Sequence, residues 1–421
     1  MLPWEALDMV DEVVESYFRK EEKRQNEGIE LICSENYPSA AVREAAASIF
    51  TAKYAEGYPG HRYYGGCENV DAVETLAIER AKALFHCRFA NVQPHSGSQA
   101  NFAAYHALIT PGDSVLSLEL NDGGHLTHGA PVSFSAQMYH FTHYPLGEDG
   151  RLDYEIIARC LDRDNPHLFL AGYSAYPYAI DFKRMREEID KHNAHSSVHC
   201  FFLVDMAHIA GIVAAGWCQN PCDYADIVTS TTHKTLRGPR GGLILCNDEE
   251  LAKKVDKAIF PYTQGGPLEH IIAAKAVCFG EDLKPEFKLY IQNVLANTKA
   301  CDEELAKKGC FVSGTENHLL LLNVLKSFHL TGKEAQLKLE AIGITTNKNM
   351  LHGDSLKPTE TSGLRIGFAA PTSRGCTIEQ AQAIADVIVA VLQDPTPDMA
   401  NYRQRVLDIT SSWQDVMTLN F

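Results

Sequence analysis

The feature that most constrains the fold is a succession of short apolar runs, each too brief for a helix, separated by helical or loop segments. Residues 114–118, 167–171, 200–204, 226–230 and 242–245 are such runs and read as buried strands. Strands buried on both faces and alternating with helices build a mostly parallel sheet, so the expected class is α/β. A strand leading into Asn91, and a helix that follows the glycine-rich stretch 57–66 and ends near Phe85, extend the pattern upstream. Beyond about Pro285 the texture changes to a long helix over 287–308 and short strands at 319–324 and 364–367. A final helix opens at Thr377, where Gln380 completes a capping box and Ile378, Ala381, Ala385, Ile388 and Leu392 share one face. The expected division is a charged helical arm over 1–22, a large unit over 23–283 and a smaller α+β unit over 284–421.

Charge and composition narrow the possible functions. Acidic residues outnumber basic ones by 54 to 38, for a net charge of −16, and with no basic cluster this field repels a phosphate backbone. Nucleic-acid binding is therefore not expected. No apolar stretch approaches the roughly 20 residues that a bilayer-spanning helix needs, and the first residues carry no leader pattern, so a cytoplasmic protein without a membrane contact is expected. The 12 cysteines stand without any Cys-x-x-Cys pair, which reads as reduced thiols and not as a disulfide framework or a zinc pattern. No metal ligand set is identified.

The chemistry concentrates where apolar runs end. Residues 226–230 lead into Thr231-Thr232-His233-Lys234, and a lysine at the end of a buried strand tends to have a lowered pKa and to form Schiff bases. Upstream, residues 200–204 run into Asp205, with His208 three residues on. A carboxylate there can hold a pyridinium nitrogen protonated, and His208 can reach a phenolic oxygen or the Asp; alone, Asp205 reads equally as a helix N-cap. Aspartate and lysine at two strand ends are what a pyridoxal phosphate site requires. Ser96-Gly97-Ser98, after a strand and before a helix, would supply N–H groups and hydroxyls to a phosphate, although such sequences also serve merely as caps. His125 could stack on a planar cofactor, or be a structural histidine.

The stretch 54–66 gathers Tyr54, Glu56, Tyr58, Tyr63 and Tyr64 on a glycine-hinged loop, suited to acid/base work or to a subunit interface. Arg365 sits inside the apolar run 364–367, where its charge needs an anion: a substrate carboxylate or a structural ion pair.

These segments together resemble the serine hydroxymethyltransferase family of fold-type-I pyridoxal phosphate enzymes. The resemblance covers nearly the whole chain and rests on Leu31-Ile32-Cys33-Ser34-Glu35-Asn36 and on residues 54–71, 91–101, 123–129, 204–211, 231–242 and 264–267. It implies Lys234 as the residue that carries the cofactor aldehyde, Asp205 at the pyridine nitrogen, His125 stacked on the ring, and His208 and Ser174 near the phenolic oxygen. Ser96, Gly97, Ser98 and His233 would hold the phosphate, with Tyr54 and the Gly265-Gly266 loop contributed by a partner subunit. A homodimer, or a dimer of dimers, is therefore implied. Ser34, Tyr64 and Arg365 would bind the amino acid, with Arg365 gripping its carboxylate. Glu56 would act as acid/base near the substrate hydroxyl, and Leu120, Leu126 and Asn349 would meet folate. The implied reaction is serine to glycine interconversion, with tetrahydrofolate as co-substrate.

Three positions depart from the family pattern: Tyr262 where glycine is usual, Phe368 where threonine is usual, and His352 where proline is usual. Phe368 is expected to reshape the pocket near the amino acid's α-carbon or the folate. An enzyme acting on α-methylserine, or a folate-independent threonine aldolase or transaldolase, is thus an alternative. A catalytically silent homologue is disfavoured, because Lys234, Asp205 and Arg365 are all present.

Overall fold

The computed structural model describes residues 9–421, so the first eight residues of the expected arm lie outside the described residues. Helix α1 (Glu12–Glu27) opens at Asp11, whose side chain accepts the Val14 N–H, with Glu12 and Glu15 in the first turn.

The main sheet has seven strands: β1 (Phe89–Asn91), β2 (Ser114–Leu118), β3 (His140–Tyr144), β4 (Leu168–Ala171), β5 (Phe201–Asp205), β6 (Ile227–Thr231) and β7 (Gly242–Cys246). Their spatial order is β1-β7-β6-β5-β4-β2-β3, with β7 antiparallel to both neighbours and the remaining pairs parallel. In β4, β6 and β7 every residue is buried, as the continuous apolar runs require. The runs did not reveal β3. It is an edge strand with alternately exposed residues, so its sequence His-Phe-Thr-His-Tyr shows no apolar block.

Helices cover both faces. On one, α2 (Glu68–Phe85) contributes Ala77, Leu84 and Phe85 to a core with Leu116, Phe169, Phe202, Val204 and Val228. On the other, α3 (Gly97–Leu108) packs Ala100, Ala103 and Tyr105 against Val115, Leu168, Leu203, Ile227 and Ile244. Alternation along β5 is visible here: Phe202 and Val204 face one core and Leu203 the other. Helices α4 (Tyr154–Asp164) and α5 (Phe182–Asn193) precede β4 and β5, and α6 (Glu269–Asp282) packs against α2.

The long helix α7 (Pro285–Lys307) leads to an antiparallel sheet of β8 (Phe311–Val312), β9 (Leu319–Asn323), β10 (Asn347–Asn349) and β11 (Gly363–Gly367), ordered β8-β9-β11-β10. Helix α8 (Ile378–Gln393) begins at the expected Thr377–Gln380 capping box. It is not the final helix: α9 (Met399–Thr410) follows, capped by Asp398 and burying only Val406 and Thr410, too sparse an apolar face to stand out in the sequence. This second core also takes in Ile29 and Leu31, because Ile29–Glu30 pairs in parallel with Ile344–Thr345.

Candidate active site

Parallel pairing of β5 with β6 sets Asp205 opposite Thr229, so the chain beyond Thr231 emerges beside the carboxyl end of β5. Ligands of such sheets bind at this edge. There Ser96, Gly97, Ser98, His125, Ser174, Asp205, His208, His233 and Lys234 line one cavity of about 180 Å³, joined by His128, Tyr173, Thr231 and Arg240.

Lys234 is presented by a tight turn. Arg237 adopts a left-handed backbone with φ of 59°, its N–H returns to the Lys234 carbonyl at 3.1 Å, and the Gly238 N–H reaches the Thr232 carbonyl at 2.7 Å. Arg237 is held between aromatic rings, 3.9 Å from the centre of Tyr290 and 3.6 Å from that of Phe421. The Asn36 amide donates to the Lys234 carbonyl at 2.8 Å, which gives that segment of the sequence a physical task. The amine itself donates to Thr231 Oγ1 at 2.9 Å. Burial brings it down to about 8; Asp205 opposes this, and the charges of Arg365 and Arg240 add to it.

Asp205 is the converse case. Burial would raise its pKa, but the His128 ring at 3.2 Å, the His125 ring and the Asn101 amide at 2.8 Å together hold it well below the ordinary carboxylate range. The Ala207 N–H donates to its other oxygen at 3.0 Å. At the end of β4, Gly172 has φ of 111°, and any Cβ there would collide with the Asp205 carbonyl. Burial and the neighbouring His128 lower His125 to about 4, so its ring is neutral near pH 7. The Thr127 N–H donates to His125 Nδ1 at 3.2 Å, which places the ring hydrogen on Nε2.

At the other end of the cavity, Ser96 is the N-cap of α3, its hydroxyl accepting the Gln99 N–H at 3.3 Å. The capping role and the anion site coexist, because the N–H groups of Gly97 and Ser98 start the helix and point outward from its first turn. His233, lowered to about 3 by burial and by Lys234, Arg240 and Lys275, keeps a buried Nδ1 without a protein partner. The donor set fits a ring that carries a phosphate: an amine, a fixed carboxylate, a neutral imidazole, and helix N–H groups beside an orphaned imidazole nitrogen and Arg240.

Arg365, on β11, reaches toward this cavity from the second sheet. Its guanidinium donates to the Ser174 carbonyl and to Asn347 Oδ1 at 3.2 Å, and among the described residues no carboxylate pairs with it. His208 and His318 are adjacent at 3.4 Å, both lowered by burial, His318 to about 3.

Other expected residues assemble elsewhere. Tyr54 donates to Glu56 at 3.2 Å, its ring meets Tyr64 edge-on at 5.1 Å, and it packs against Gly266, while Gly265 abuts Glu56. This group is apart from the cavity; Tyr54 is exposed by 55% and Tyr64 is also exposed, while Glu56 and Gly266 are half-buried. Leu120 and Leu126 are exposed, and the Asn349 amide donates to the Met350 carbonyl. Ser34 is half-buried and lines neither group.

Phe368 is fully buried in the second core and does not line the cavity, contrary to expectation; the strand that delivers Arg365 turns this residue inward among Leu320, Ile366 and Ile384. Tyr262 stacks on His106 at 3.5 Å, on the outer side of α3. His352 pairs with Asp122 at 2.9 Å, linking the turn after β2 to the chain after β10. Asn101, His128 and Arg240 were not singled out from sequence, since no local motif marks them. A family model described as serine hydroxymethyltransferase matches residues 7–388, nearly the whole chain.

Proposed function

Because this chain belongs to the serine hydroxymethyltransferase family, and so to the pyridoxal-phosphate-dependent transferases of serine and glycine one-carbon chemistry, we propose that it interconverts serine and glycine with tetrahydrofolate as the one-carbon carrier. The observation that carries this reading is Arg365: a buried guanidinium beside the Lys234 and Asp205 cavity with no acid partner among the described residues. An amino-acid carboxylate completes it.

When bound, the cofactor's protonated pyridine ring supplies a sink for the electron pair left on the substrate's α-carbon. The chain's own residues do the rest. Lys234 would hold the cofactor by its aldehyde. Asp205, held ionised, would keep a proton on the ring nitrogen, and the neutral His125 would pack beside the ring without opposing that charge. Gly97, Ser98, Ser96, His233 and Arg240 hold the phosphate, while Ser174 and His208 serve the phenolic oxygen. Arg365 would grip the substrate carboxylate and so orient the amino acid. Ser34 and Tyr64 contact the amino acid, Glu56 moves the proton at its hydroxyl, and Leu120, Leu126 and Asn349 border the folate.

The Tyr54, Glu56, Tyr64, Gly265 and Gly266 group, with both tyrosine rings exposed, favours an assembly in which it faces a second copy's cavity, hence a homodimer or a dimer of dimers. All twelve cysteines are free, which suits the cytoplasm. No helix among the described residues is long and apolar enough to cross a membrane. The same reading divides the chain into an arm, a cofactor unit up to residue 283 and a unit over 284–421, with the arm's end moved from 22 to Glu27 by helix α1 and with Ile29 and Leu31 joining the second core. A substrate panel tests the activity. Serine cleavage by the holoenzyme is expected to accelerate strongly on adding tetrahydrofolate; turnover of threonine or α-methylserine that outpaces serine and ignores folate would overturn the proposal.

A further inference from the structure

Helices α4 and α5 lie side by side and end at the edge of the sheet where β4 and β5 begin, opposite the edge that carries the cofactor cavity. At their ends Asp162, His192 and His195 meet, and none of them lines that cavity. We infer that these three residues form a binding site for a divalent transition cation of the zinc class.

Geometry supports this first. Asp162 Oδ1 lies 2.9 Å from His192 Nδ1 and 3.1 Å from His195 Nε2, and the three ligand atoms fall within 4.8 Å of one another. Tetrahedral donors about 2.0–2.1 Å from zinc stand roughly 3.3 Å apart, so small side-chain movements admit the ion.

Hydrogen inventory supports it independently. His195 Nδ1 is 2.8 Å from the Lys191 carbonyl, which only accepts, so the ring hydrogen sits on Nδ1. The ring's Nε2 then faces the Asp162 carboxylate at 3.1 Å, the position from which both would reach a shared cation. A ring N–H anchored on a backbone carbonyl with the opposite nitrogen free is the habit of metal-bound histidine. His192 Nε2 has no partner among the described residues, so its hydrogen can reside there and leave Nδ1 as a donor atom facing Asp162.

The scaffold is held in place and electrostatically suited. Asn193 pairs with Cys200 through both its amide groups, at 2.8 and 3.1 Å, and the Ser196 hydroxyl donates to Asn165 at 2.6 Å, pinning the turn that carries His195. Two helix C-termini converge here, each with a partial negative charge that favours a cation. Two imidazoles and one carboxylate suit zinc and its neighbours, whereas calcium and magnesium call for oxygen ligands. The fourth position is left for water or an outside group.

The test uses the untagged, cofactor-loaded protein, titrated with zinc alone and assayed for bound metal after gel filtration at fixed free zinc. One equivalent per chain is expected at micromolar free zinc, with a rise in melting temperature. Asp162→Asn and His195→Ala should each weaken binding by about tenfold or more. Both positions are exposed, by 57% and 63% of their side chains, so the variants should fold and keep their basal activity. Absence of zinc binding, or an equivalent that persists unchanged in both variants, would overturn the inference and leave only the contacts of Asp162 with His192 and His195.

Discussion

At the scale of single residues, the site works by opposing shifts in two neighbouring charges. Asp205 and Lys234 are both buried, yet burial is outweighed at the aspartate by His128, His125 and Asn101, and dominates at the lysine. The lysine's pKa falls from 10.5 unfolded to about 8 folded, so between those values the unfolded chain binds more protons and the stability of the cofactor-free protein should rise with pH through that window. Only the neutral amine captures an aldehyde. Cofactor capture, followed by visible absorbance, should therefore climb with pH below about 8 and level off above it, and Lys234→Ala should abolish it. Arg365→Ala should raise KM for the amino acid by about 10- to 100-fold, matching the loss of a charged hydrogen-bonded contact. Arg365→Lys should restore little, since an ammonium cannot reproduce the planar fork; steady-state kinetics checks both. Lys234, Asp205 and Arg365 were legible in the sequence because each is a charged residue at or inside an apolar run. Asn101, His128 and Arg240 were not, because their value lies in what the sheet order sets beside them.

At the scale of elements, the hairpin Gly57–Tyr58 and His61–Arg62 holds the Tyr54 group through one buried arginine. The Arg62 guanidinium, only 3% exposed, bridges Asp71 at 2.8 Å, Glu74 and Glu269, and donates to the carbonyls of Ala55 and Gly57. It thereby fastens the hairpin to α2 and α6. Burial and the nearby Glu74 push Glu269 up to about 8 even with Arg62 in place, so removing the cation would strand several carboxylates. Arg62→Met is expected to destabilise the fold by about 3–5 kcal/mol, measured by denaturant unfolding. Charged clusters of this kind are invisible in a sequence, since residues 62, 71, 74 and 269 acquire a common neighbourhood only when the helices pack.

At the scale of the whole molecule, the cavity and the Tyr54 group lie apart in one chain, and the proposed assembly would make them two halves of one site. If partner copies join them, mixing Lys234→Ala with Glu56→Gln, each inactive alone, should recover activity. Each hybrid dimer would own one intact site, so random mixing should yield about one quarter of the wild-type rate. Recovery that never exceeds the sum of the separate variants would place both half-sites within a single subunit. The sequence by itself determined the α/β class, the strand-end lysine and aspartate and the helix start at Ser96–Gly97, because strand periodicity and strand-end chemistry are local properties of the chain. Only the tertiary structure decided that Phe368 turns into the second core, that Tyr262 stacks outside α3, and that Asn36 braces the Lys234 turn. Those outcomes depend on which surfaces approach across hundreds of residues, and no local pattern encodes such distances.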